Sequence, residues 1–187
     1  MNQKEKIKYL EKANRELKNE IQKLRQTIKN YKYDTLTGLL RRSDFNDRFD
    51  ELWYAHKEFG HRFILGMVDL NGLHELNRDV GFEAGDEFII STSDKLKELF
   101  EDSNIFRIGG DEFMLLKRGN DIDEFRKRLD KIENCETYAV STNDGFETEG
   151  DMFNAVDNGV IEKKKIRKCP KKGKCKKEEC TLACQSR

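Results

Sequence analysis

A chain of 187 residues accommodates one domain of ordinary size with extensions, and 39% charged against 36% apolar residues requires part of it to be solvated helix or tail. The formal net charge is zero, but from Glu162 onward 11 Lys or Arg stand against 3 Asp or Glu, so a basic tail follows an acidic body. No run approaches the roughly 18 apolar residues of a membrane span, and the lysine-rich start has no apolar signal core; a cytoplasmic protein with its five cysteines reduced or metal-bound is expected.

In residues 1–33, Ile7, Leu10, Asn14, Leu17, Ile21, Leu24, Ile28 and Tyr31 recur at alternating spacings of three and four. Ile or Asn at the a positions and Leu or Tyr at d predict a parallel two-stranded coiled coil, with Asn14 setting the register. Lys6 facing Glu11 of a second copy, and Glu20 facing Arg25, suit a parallel homodimer. The alternative is one amphipathic helix folded back on the body, although an a/d-only stripe is narrower than such a helix normally shows.

Asp34-Thr35-Leu36-Thr37-Gly38 breaks the heptads and reads as a turn. Ser43 then caps a helix to about Lys57, with Phe45, Phe49, Leu52 and Trp53 as core. After a turn at Glu58–His61, Phe63–Val68 is a continuous apolar run, the pattern of a strand buried on both faces. It ends in Asp69-Leu70-Asn71-Gly72, and the carboxyl end of such a strand is where α/β sheets commonly place ligand chemistry. A helix begins near Asp86 and continues to Phe100.

Phe106-Arg107-Ile108-Gly109-Gly110-Asp111-Glu112-Phe113-Met114-Leu115-Leu116 reads as a β-hairpin in which Gly109-Gly110 supply a turn of positive φ. Two carboxylates beside glycines that let a ligand approach closely suit a divalent cation and its phosphates, and an ordinary polar surface turn fits the same residues. If the 63–68 strand neighbours this hairpin, Asp69 and Asp111 converge on one cation. An amphipathic helix is expected over Asp121–Glu133 and a strand over Thr137–Ser141, with Cys135 a small buried residue. In the basic tail, 169–187, Cys169, Cys175, Cys180 and Cys184 offer four thiolates to a structural Zn²⁺, and a disordered tail is the alternative; folded on zinc, it would suit nucleic acid or anionic lipid.

Four of these stretches, in order, resemble the GGDEF family, the diguanylate cyclases. Asp34–Arg42 is similar to the family's opening segment, Asp69–Asp86 to its Asp-x-Asp…Asn-Asp…Gly-His-x-x-Gly-Asp segment, Gly109–Phe113 to the motif that names it, and Val156–Lys164 to a degraded form of its closing motif. The resemblance runs from Asp34 to Lys168 and divides the chain into a coiled-coil helix (1–33), a catalytic domain (34–168) and the cysteine tail (169–187). It implies an α/β (α+β) fold of the nucleotidyl-cyclase palm type, a central, mainly antiparallel sheet flanked by helices.

The implied reaction joins two GTP into cyclic di-GMP with release of two pyrophosphates, one GTP per subunit of a dimer. Asp69, the Leu70 carbonyl and Asp111 are implied ligands of Mg²⁺ or Mn²⁺. Asp111 is the candidate base, with Glu112 supporting metal or hydroxyl. Asn77 and Asp86 are implied to read the guanine edge, whose N1–H and 2-amino donors a carboxylate accepts, and Asp86 stands where branches accepting adenine differ. Gly109 and Gly110 let the nucleotide approach, and Lys164 and Lys168 stand where triphosphate-binding residues would be. His74 replaces a phosphate-contacting Lys, Asn71 the second Asp, and Arg78 and Phe82 the usual Asp and His. A neutral imidazole is the weaker phosphate partner, so a catalytically weak GTP-binding signalling module is the alternative reading, with a dimeric nucleic-acid-binding protein behind it. Phe100-Glu101-Asp102-Ser103 occupies the place of the family's inhibitory Arg-x-x-Asp, so product inhibition there is not expected.

Overall fold

The apolar run that starts at Phe63 becomes the strand around which the others assemble. In the computed structural model, which describes residues 3–132 and 136–168, the order is α1 (Gln3–Lys32), β1 (Leu40–Arg41), α2 (Arg42–Phe59), β2 (Phe63–Leu70), α3 (Leu73–Asp79), α4 (Phe82–Leu99), β3 (Asn104–Arg107), β4 (Glu112–Arg118), α5 (Ile122–Leu129), β5 (Glu136–Thr142) and α6 (Glu149–Lys168). All eight residues of β2 are buried. The sheet order is β1-β3-β4-β2-β5. β2 runs antiparallel to β4 and β5, β3 runs antiparallel to β4, and β1 pairs parallel with β3. A mainly antiparallel sheet between helices is the expected architecture.

Side chains alternate across a strand, and in β2 the alternation separates two cores. Phe63, Leu65 and Met67 pack with Phe45, Phe49 and Leu52 of α2 and with Met152, Val156 and Val160 of α6. Ile64, Val68 and Leu70 pack on the other face with Ile89 and Leu96 of α4 and Phe125 and Leu129 of α5. Each such side chain stabilises the fold by roughly 1.5–3 kcal/mol through burial alone. The same period decides where Asp69 points. It continues the odd-numbered series and so faces α6.

α1 does not fold back on the body. Ile7, Leu10, Leu17, Ile21, Leu24, Ile28 and Tyr31 are 48–78% exposed, an apolar seam along a helix about 45 Å long. Where α1 ends, Asp34 Oδ1 accepts hydrogen bonds from Thr37 N (2.9 Å), Thr37 Oγ1 (2.7 Å) and Arg107 Nη1 (2.9 Å). The expected turn is there, and its carboxylate also reaches a strand 73 residues away. Burial pushes the Asp34 carboxyl up, but the bonds from Arg107 and Thr37 outweigh it and hold it below the ordinary value. A depressed carboxylate supports the fold above its unfolded pKa, and the support is lost as pH falls through the folded value. Asp34→Asn is therefore expected to cost about 2 kcal/mol at neutral pH. In urea melts, the gap between variant and parent should narrow below about pH 4.

Several elements differ from expectation. α2 begins at Arg42, so Ser43 lies inside the helix, and the cap position Arg41 makes no side-chain cap bond. α4 begins at Phe82, four residues before Asp86. α5 ends at Leu129, with Asp130 as its C-cap. The short α3 and the two-residue β1 were not foreseen. The hairpin forms as β3 and β4, yet neither Gly109 nor Gly110 is among the glycines of positive φ.

Candidate active site

The carboxyl end of β2 and the start of β4 bring the acids together. Asp69 is 2% exposed and stands directly opposite Glu112 in the antiparallel register. The Leu70 amide donates to the Asp111 carbonyl at 2.9 Å, fixing the loop 108–111 against β2. From α6, Lys164 Nζ donates to Asp69 Oδ2 at 2.6 Å, a contact across 95 residues of sequence. Three acids and one lysine thus converge at one end of the sheet.

Glu112 carries the electrostatic signature of that convergence. Burial first, then the charges of Asp111 and Asp69, push its carboxyl above the ordinary value, more than Arg42 and Lys164 pull it down. Arg42 Nη2 lies 3.9 Å from Glu112 Oε2, and its Nε donates to the Ile108 carbonyl at 3.1 Å. The Glu112 carboxylate lies against Gly109: a Cβ there would fall 2.6 Å from Glu112 Oε2, so a side chain at 109 would push that carboxylate aside. Arg107 Nη2 donates to the Gly110 carbonyl at 2.8 Å, so the guanidinium that holds Asp34 also holds the hairpin tip. Arg42 and Arg107 were not singled out from the sequence. Their only signal was position, one at the end of the opening motif and one immediately before Ile108-Gly109-Gly110.

A second group lies on α3 and α4. Asn77 rests in the notch left by Gly85, where a Cβ would come 1.8 Å from Asn77 Oδ1. That oxygen is buried and accepts no hydrogen bond within the described residues. Asp86, next in sequence to Gly85, is exposed, as is His74 on the first turn of α3. Asn71 donates from Nδ2 to Thr137 Oγ1 at 2.6 Å, on β5, where Thr137 stands opposite Asp69.

The remaining expectations divide. The side chain of Lys168, at the end of α6, lies outside the described residues, as do Cys135 and the tail with Cys169, Cys175, Cys180 and Cys184. Phe100 is fully buried, while Asp102 is held by Lys117 (2.7 Å) and Arg128 (2.8 Å). No described helix is long and apolar enough to cross a membrane. Among the described residues no three His, Cys, Asp or Glu side chains form a ready-made metal cage. Mg²⁺ needs none, because it takes one or two carboxylates and completes its octahedron with phosphate oxygens and water. The hard-oxygen donors at Asp69, Leu70 and Asp111 fit that ion, and Lys164 already places a positive charge against Asp69.

Comparison with known proteins agrees with this geometry. The model of a family described as "Diguanylate cyclase, GGDEF domain" matches residues 31–144. The chain is 29% identical over 100 residues to the diguanylate cyclase DgcP of Escherichia coli strain K12, covering 51% of this chain and 29% of that protein. It is 30% identical over 86 residues to the cyclic di-GMP phosphodiesterase NbdA of Pseudomonas aeruginosa, covering 46% of this chain and 11% of that one. The matches thus span less than a third of these relatives' length. Among solved structures, the coiled coil and GGDEF domain of DgcB from Caulobacter crescentus, in complex with c-di-GMP, superposes with a TM-score of 0.76 at 16% identity, over 83% of this chain and 92% of that one. The FimX GGDEF domain from Pseudomonas aeruginosa gives 0.65 at 21% identity, over 70% and 92%.

Proposed function

We propose, from the premise that this chain belongs to the GGDEF family, that it is a diguanylate cyclase: it condenses two GTP into cyclic di-GMP and two pyrophosphates, as a dimer held by α1. The observation that supports this most is the opposition of buried Asp69 to half-buried Glu112 across β2 and β4, with Lys164 drawn in from α6.

Asp69, the Leu70 carbonyl and Asp111 would hold Mg²⁺ or Mn²⁺, which when bound neutralises triphosphate charge and makes the α-phosphorus a better electrophile. The residues do the rest by positioning and proton transfer. Asn77 and Asp86 bind the guanine edge, and Lys164 meets the triphosphate while balancing Asp69. Asp111 and Glu112 face the attacking 3′-hydroxyl. The raised proton affinity of Glu112 makes it a better acceptor of the hydroxyl proton than an ordinary carboxylate. Gly109 and Gly110 leave the loop without side chains on that approach. With buried Phe100 in place of the inhibitory arginine, product inhibition at that position is not expected.

Gly85→Ala tests the base-reading part. Its methyl would displace Asn77, and loss of one hydrogen bond to the base is expected to weaken GTP about tenfold. GTP and ATP titrated by calorimetry should then differ less than they do with the parent.

One observation favours a second reading, a GTP-binding signalling module with little turnover. His74 is exposed and stands where the family's motif carries a lysine, and Lys164 is engaged by Asp69. Incubating the protein with GTP and Mg²⁺ and separating the nucleotides by chromatography distinguishes the two. Cyclic di-GMP supports the cyclase; GTP binding without product supports the module.

A further inference from the structure

We infer that the ring of Phe82 is the platform on which the purine stacks while Asn77 and Asp86 read its edge. The inference rests on the base-reading role given to those two residues above. Phe82 opens α4 and is 80% exposed, with Val80 beside it 69% exposed. A purine has two surfaces to satisfy, a hydrogen-bonding edge and an apolar face. Asn77 and Asp86 serve the edge and leave the face uncovered.

Helix geometry puts the missing surface in place. Residues four apart on a helix are neighbours on one face, with Cβ atoms about 5–6 Å apart, so Phe82 stands one turn before Asp86. Between them Gly85 contributes no side chain, and its notch holds Asn77, whose buried Oδ1 accepts no hydrogen bond within the described residues. One side of the first two turns of α4 therefore presents an aromatic ring and a carboxylate, both exposed, with the Asn77 side chain seated in the Gly85 notch between them. Guanine complements both: a π-face for the ring, and N1–H and 2-amino donors for the Asp86 carboxylate. The family's motif carries a histidine at this position, so the apolar ring belongs to this chain. It also supplies affinity on the base side, where His74 gives up some on the phosphate side.

The test is calorimetric titration of the full chain, with Mg²⁺, by GTP and by inorganic tripolyphosphate, which has no base. Phe82→Ala is expected to weaken GTP about tenfold, within the range measured for base–aromatic stacking, and to leave tripolyphosphate unchanged. Phe82→Tyr should stay within about twofold of the parent, because every aromatic ring offers a stacking face. The ring is exposed, so neither variant threatens the fold, and a melting curve checks this. Phe82→Ala that binds GTP like the parent overturns the platform, as does a change of oligomeric state without a change in GTP affinity, which would make the ring a protein contact. Asp86→Ala separates the two layers. If it weakens GTP while Phe82→Ala does not, base reading stands and stacking falls; if neither does, or the parent binds no GTP, both fall.

Discussion

Asp111→Asn is expected to abolish cyclic di-GMP formation, a fall of about 10³-fold or more, with the melting temperature close to that of the parent. The two halves of this expectation have separate causes. What ties the hairpin to β2 is the Asp111 backbone, whose carbonyl accepts from the Leu70 amide at 2.9 Å, and asparagine keeps that bond. What is lost is the charge. An amide neither ligates a hard cation as a carboxylate does nor accepts the proton of an attacking hydroxyl. The Asp111 charge also helps keep the Glu112 carboxyl above its ordinary value, so its removal lowers the proton affinity of the neighbouring acid as well. Asp69→Asn should remove activity equally, but with a cost in stability, because it separates a 2%-exposed side chain from Lys164. Persistent activity in Asp111→Asn would refute the assignment of that acid.

Disrupting α1 should have the second largest effect. The seam from Ile7 to Tyr31 is exposed in the single chain, and a lone amphipathic helix gains little stability in water without a partner for its apolar face. Leu17→Glu combined with Leu24→Glu places carboxylates at two d positions and is expected to yield monomers by light scattering. If each subunit brings one GTP, those monomers should lose about 10²-fold or more of the rate at micromolar protein, since effective concentrations within a tethered pair are of millimolar order. Replacing residues 1–33 by an unrelated parallel dimeric coiled coil in the same heptad phase should restore it. Monomers with undiminished turnover would contradict the dimeric mechanism.

How much of this was legible beforehand depended on the range of the signal. β2 was legible because a continuous apolar run has one dominant explanation, and α1 because its heptads are unbroken. α3 carried no signal of its own: none of its seven residues is buried, so no apolar period marks it. β1 exists only through its pairing with β3, which two residues cannot announce. At the hairpin the glycines were legible and their reason was not. Gly109 does not take a positive φ; what lies against it is the carboxylate of Glu112, a tertiary contact. The same holds for Asp34 with Arg107 and for Asp69 with Lys164. Residue type suggested each acid, but its cation lies 73 or 95 residues away and only the fold brings it near. Phe82 was noticed only as a departure from the family's motif; its 80% exposure at the start of α4 is a property of the fold.

The most direct test of the cyclase reading is to follow one reaction of the purified protein with GTP and Mg²⁺, measuring both products at once. The account predicts one cyclic di-GMP and two pyrophosphates for every two GTP consumed. GTP bound by every subunit, with neither product released, would contradict it and leave a binding module.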